Sequence, residues 1–207
     1  MTDTSFPPDA FQRIDETDDH EFYNVARKVE HIDSGAIAAL KEFYRKRVPP
    51  YGEYLDLMSS WRSHLPDELE PVYVVGLGMN SEEMADNPQL DEHIVHNLNK
   101  TPTIPYQSDR FDAVLCAVSV QYLIQPVAVF TEVNRVLKPG GVFVVSFSNR
   151  CFPTKAVSVW MNTGDRQHVA LIARYFELAG GYTELFAEAA VPGTHDPIYV
   201  VSGKKMA

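Results

Sequence analysis

Hydrophobic and polar positions divide the chain into stretches of helical and strand period. Ile37, Leu40 and Tyr44 recur at helical spacing. Asp33 or Ser34 stands at the N-cap, and Arg45, Lys46 and Arg47 fall in the last turn, where cations suit the helix dipole. Pro49-Pro50 ends that element. Residues 53–57 alternate as a short strand, and residues 59–65 predict the opening of a helix. Residues 72–77 form an apolar, β-rich run, residues 81–85 a short helix, residues 93–98 a third strand and residues 111–118 a fourth. A well-marked helix follows. It has Pro126 near its first turn, Phe130, Val133 and Leu137 on one face, and Lys138-Pro139-Gly140-Gly141 as the stop. Residues 142–147 are a strand with almost no polar face. Near-continuous apolar strands between helices predict a mostly parallel sheet covered on both faces.

The C-terminal part differs. Residues 165–179 read as a helix closed by Gly180-Gly181, and strand-like runs at 182–191 and 198–202 follow. The stretch 192–197 between those runs is too short for a crossover helix, so the pair is predicted antiparallel. The sheet should therefore carry one reversed strand near its end.

Length and composition fit this picture. The 207 residues, 45% hydrophobic and 22% charged, suit one globular domain with appendages. The reading divides the chain into an acidic leader at 1–20, a helical cap at 21–50 and the α/β domain at 51–207. Net charge is −10, which argues against nucleic acid and anionic membrane as partners. Much of it is local: residues 1–33 hold nine acids against three bases, read as a solvated leader. No apolar run approaches the roughly 18 residues that span a bilayer. The N-terminus also lacks the basic start and apolar stretch of a secretory signal. Cys116 and Cys151 make no CxxC pair, which suits a reduced, cytoplasmic setting. His93 and His96 would point to opposite faces of a strand, so no metal site is predicted.

Open α/β sheets bind ligands beyond the carboxyl ends of their strands. Nicotinamide-type dinucleotide binding is excluded by the lack of Gly-x-Gly-x-x-Gly after the first strand. The order of elements points elsewhere. So do Phe111-Asp112-Ala113-Val114 and the later Arg135-Val136-Leu137-Lys138-Pro139-Gly140-Gly141. Together they resemble the class I S-adenosylmethionine-dependent methyltransferases, nearest to the small type 11 domain, over roughly residues 50–205. The resemblance implies a Rossmann-like, mostly parallel seven-stranded sheet with one antiparallel C-terminal strand and helices on both faces. It also implies methyl transfer from S-adenosylmethionine, giving S-adenosylhomocysteine, to a small-molecule substrate. The alternative is an inactive protein of the same fold that binds a ligand or partner.

On that resemblance the first strand ends at Asp56, where the family places an acid before its glycine-rich turn. Met58, Ser60 and Arg62 stand at the three glycine positions. Ser59 and Ser60 are small enough to permit close approach and carry hydroxyls for the methionine end of the ligand. Gly78 stands where the family's ribose-binding acid would be, with Asn80 within reach of the ribose and Met79 against the adenine. Loss of that anion should cost roughly 1.5–3 kcal/mol. Asn97 replaces the usual adenine-binding Asp, with the Leu98 main-chain N–H beside it. Ala117 and Val118 contribute backbone after the fourth strand. Catalytic candidates are Tyr23, His31 and Tyr122. Phe22, Tyr23, Arg27 and His31 predict either a lid or a helix packed on the domain edge. Gln121 and Tyr122 would lie beside the methyl group, with Asn149, Arg150, Phe152 and Lys155 on the substrate side. Arg150 and Lys155 there are candidates to hold an anionic substrate.

Overall fold

A computed structural model describes residues 6–190 and 195–207. Its element order is α1 (Asp19–Tyr23), α2 (Ser34–Arg47), β1 (Glu53–Ser59), β2 (Tyr73–Gly78), α3 (Ser81–Ala85), β3 (Glu92–Val95), β4 (Phe111–Ala117), α4 (Pro126–Val136), β5 (Leu137–Phe147), α5 (Ser158–Met161), α6 (Asp165–Ala179), β6 (Tyr182–Ala190) and β7 (Ile198–Lys205). The seven strands form one sheet in the order β3-β2-β1-β4-β5-β7-β6. Every pair is parallel except those made by β7, which runs against both β5 and β6. The short link predicted between the last two strands includes residues 191–194, which lie outside the described residues.

Two apolar layers sandwich the sheet. On one face, α4 and α6 bring Phe130, Val133, Ile172, Tyr175 and Phe176 against Val114, Phe143 and Val145. Phe130 meets Phe143 edge-on with centroids 4.8 Å apart and Phe176 at 4.9 Å, the arrangement ring quadrupoles favour. On the other face, α2 lays Leu40, Phe43 and Tyr44 over Tyr54, Val74, Leu115 and Val144. Asp33 caps α2 by accepting a hydrogen bond from the Ala36 N–H at 2.9 Å. The helix predicted to follow the first strand does not form. Residues 60–72 are a loop with one 3₁₀ turn, Asp67–Leu69. Hydroxyl side chains there bond locally to Asp56 instead of leaving the backbone to wind.

The two motifs that carry the family resemblance meet at the amino-terminal edge of the sheet. The Asp112 carboxylate accepts from the Glu53 N–H at 2.9 Å and from the Lys138 ammonium at 2.8 Å, tying β1, β4 and β5 together. A Cβ on Gly141 would lie 2.9–3.1 Å from the carbonyl oxygens of Lys138, Asp112 and Phe111, so only glycine lets the chain pass there.

The acidic N-terminus is not a solvated leader in the described residues from Phe6 onward. Phe6 and Phe11 pack on Tyr175, and Ser158 and Val159 donate main-chain hydrogen bonds to Gln12 and Ala10. Lys155 is fully buried (0% exposed) beneath this segment, with its ammonium 3.2 Å from Asp15, 3.5 Å from Asp19 and 2.9 Å from the Thr17 carbonyl. Arg13 pairs with Asp19 at 2.6 Å. Asp15 and Asp19 thus meet buried cations. Residues 6–33 thus form a strap across the carboxyl end of the sheet. Among the described residues no helix is long and apolar enough to cross a membrane.

Candidate functional site

Beyond the carboxyl ends of β1–β4, and under the strap, lies a cavity of about 600 Å³, within the range of small-molecule sites. Asp56, Ser59 and Ser60 line it from β1 and the loop after it, Met79 and Asn80 from the turn after β2, Asn97 and Leu98 from the loop after β3, and Ala117 and Val118 from the end of β4 and the residue after it. Tyr23 and His31 come from the strap and Tyr122 from the turn after β4, joined by Arg27, Asn149, Arg150 and Phe152. The topology therefore gathers all nine residues selected from the sequence for the cofactor around one space. Three neighbours do not line it: Phe22, Gln121 and Lys155. Lys155 is spent holding the strap and cannot meet a substrate. Arg150 is paired with Asp196 at 2.8 Å.

The first strand explains the local chemistry. Leu57 pairs with Leu77, but Ser59, not Met58, pairs with Gly78, so Met58 is the extra residue of a bulge. Its φ of 59° is the left-handed conformation that glycine would adopt freely, at the first of the three substituted glycine positions. The bulge carries β1 on through Ser59, whose carbonyl then lies against Gly78. A Cβ at Gly78 would sit 2.1 Å from that oxygen. The missing turn glycines and the missing acid are thus one linked departure: with β1 extended, no side chain fits at the tip of β2.

Asp56 is buried, and its carboxylate accepts hydrogen bonds from Ser59 Oγ and Ser63 Oγ, both at 2.6 Å. Burial outweighs those bonds and pushes its pKa up to about 6. Asn80 is fully engaged in the fold: its Oδ1 accepts from the Glu83 N–H at 3.0 Å, and its Nδ2 donates to the Tyr23 carbonyl at 2.8 Å. Asn97 Oδ1 already accepts from the Asn99 and Lys100 N–H groups, at 2.9 and 3.3 Å. Burial lowers the pKa of His31, and that of His64 falls to about 4. Both rings are accordingly neutral at pH 7. The phenols respond oppositely: burial raises Tyr23 strongly and Tyr122 to about 12, so both keep their protons. Tyr122 Oη accepts from the Phe152 N–H at 2.9 Å, whereas Tyr23 Oη is buried with no hydrogen-bond partner. His93 and His96 are taken up by Ser81 Oγ and the Thr101 carbonyl. No cluster of metal-ligating groups occurs among the described residues.

Comparison with known proteins fits this architecture. Residues 64–145 match the methyltransferase domain family. That match covers the middle of the chain, from the loop after β1 into β5. An S-adenosylmethionine-dependent methyltransferase of Mesorhizobium loti superposes with a TM-score of 0.59 at 18% identity, covering 84% of this chain and 99% of that one. The [4+2]-cyclase SpnF superposes at 0.60 with 12% identity, covering 89% and 88%. At these identities the likeness is one of fold. Among curated proteins, the biotin biosynthesis bifunctional protein BioHC of Teredinibacter turnerae is 27% identical over 94 residues, which is 45% of this chain and 16% of that protein.

Sequence reasoning missed Asp19, Glu30, His64 and Glu83 in the cavity wall. One of them was signalled: Asn80-Ser81-Glu82-Glu83 has the spacing of an N-cap and its N3 acid, which fixes Glu83 at the start of α3.

Proposed function

We propose that the chain transfers the methyl group of S-adenosylmethionine to a small molecule. The observation that carries this reading is the convergence of Asp56, Met79 and Asn97, far apart in sequence, on one cavity of adequate size at the carboxyl edge of the sheet. In this reading Asn97, Leu98 and Met79 face the adenine, while Asp56, Ser59, Ser60, Ala117 and Val118 hold the methionine end. When bound, the cofactor supplies an electrophilic methyl on a sulfonium, so the protein need only align a nucleophile and exclude water. The strap performs that exclusion. Tyr23 Oη, buried and unpartnered, is the donor left free to orient an acceptor molecule. The neutral His31 ring is able to take a proton from it.

Titration calorimetry with S-adenosylhomocysteine tests this reading directly. Micromolar binding is expected, and no heat at millimolar ligand would overturn it. Asp56→Ala and Asn97→Ala should each weaken binding about tenfold; unchanged affinity in both would misplace the ligand. A second reading, a binding module without transfer, is favoured by Gly78, where no ribose-binding acid fits. Consumption of bound S-adenosylmethionine on addition of an acceptor separates the two.

A further inference from the structure

Given the reading above, a nucleoside in this cavity needs a hydrogen-bond acceptor for its ribose diol, and neither expected position provides one. Gly78 excludes any side chain, and Asn80 spends both ends of its amide on α3 and the strap. Among the described cavity-lining residues four carboxylates remain: Asp19, Glu30, Asp56 and Glu83. Asp19 is consumed by Arg13, Lys155 and Asn99. Asp56 belongs to β1 and is buried against two serines. Glu30 is an exposed strap residue. Glu83 projects from the first turn of α3, immediately after the tip of β2.

We propose that Glu83 takes over as the acceptor of the ribose hydroxyls. Its orientation is set before any ligand arrives. The Asn80 cap fixes its main chain, Ser60 Oγ donates to Oε2 at 2.6 Å, and the Arg27 N–H donates to Oε1 at 2.6 Å. A carboxylate offers about four lone-pair sites, so two remain for a diol. The two existing donors also explain the coupled departures. Ser60, standing at a glycine position of the family, supplies the hydroxyl that positions the relocated acid. The strap supplies the second donor, so the acceptor is complete only when the strap is docked.

Calorimetry on the full chain tests this with adenosine, 2′,3′-dideoxyadenosine and S-adenosylhomocysteine. The wild type should prefer adenosine over the dideoxy compound by tenfold or more. In Glu83→Gln that preference should collapse toward one, with S-adenosylhomocysteine about tenfold weaker or more, as expected for loss of charge-assisted bonds. Glu82→Gln, one residue away and paired with Lys28 on the surface, should behave as wild type. Binding of adenosine and its dideoxy analogue with equal affinity by the wild type overturns the assignment without recourse to any variant. Retention of the preference in Glu83→Gln overturns it as well. If no nucleoside binds the wild type, this inference and the methyltransferase reading fall together; binding without diol preference removes this one alone.

Discussion

Asp56 and His64 titrate over the same interval with opposite signs. Folded, Asp56 holds its proton up to about pH 6, against 3.8 for an ordinary carboxyl. Its contribution to stability is complete below about pH 4 and is lost as pH rises through 6. The shift corresponds to about 3 kcal/mol. His64 stays neutral down to about pH 4 when folded, against 6.5 ordinarily, so its contribution is complete above 6.5 and lost as pH falls through 4. Asp56→Asn removes only the first effect. In urea titrations from pH 4.5 to 7.5, its stability relative to wild type should climb with pH by about 2 kcal/mol. Parallel curves would show that Asp56 is not buried as described.

Among the elements, β1 and the strap carry the departures from the family pattern. Gly78→Ala sets a methyl group against the Ser59 carbonyl and should destabilise the fold by about 2–3 kcal/mol, the size of overpacking effects, lowering the melting temperature accordingly. A variant that melts with wild type would mean that β1 does not extend past its bulge. Lys155→Ala leaves Asp15 and Asp19 without their buried partner and should cost about 3–5 kcal/mol by chemical denaturation. Arg150→Ala, breaking an exposed pair, should change stability by less than about 1 kcal/mol. Equal effects of the two would dissolve the distinction between strap and surface.

For the molecule as a whole, the sheet was legible because its signals are local. Apolar runs gave the strands, Pro126 and Phe130 the helix α4, and the short link before residue 198 the reversal. The motifs behind the family resemblance are legible for the same reason, yet Asp112 and Gly141 stitch the edge of the sheet opposite the cavity. They report on the framework and leave the site open. The site was harder because its partners are distant in sequence. Nothing near Lys155 announces Asp15, 140 positions earlier, and Asp15 and Asp19 look solvated until buried cations are found beside them. The polar segment after β1 read as the opening of a helix, while Ser59 and Ser63 were already committed to Asp56. If the cavity takes S-adenosylhomocysteine, a hundredfold excess over Kd should stabilise the chain by about 2.7 kcal/mol, read as a rise in melting temperature of roughly 5–10 °C; no rise would place the ligand elsewhere.

The strap is anchored on both rims: by Lys155 and Asn99 on one side, and by Asn80, Glu83 and the Trp61 indole on the other. A molecule seated beneath it is covered by residues that the strap contributes to the wall, Tyr23, Arg27 and His31 among them. The roof of the cavity is thus built from the acidic N-terminal stretch, the part whose sequence reads as the least committed to structure.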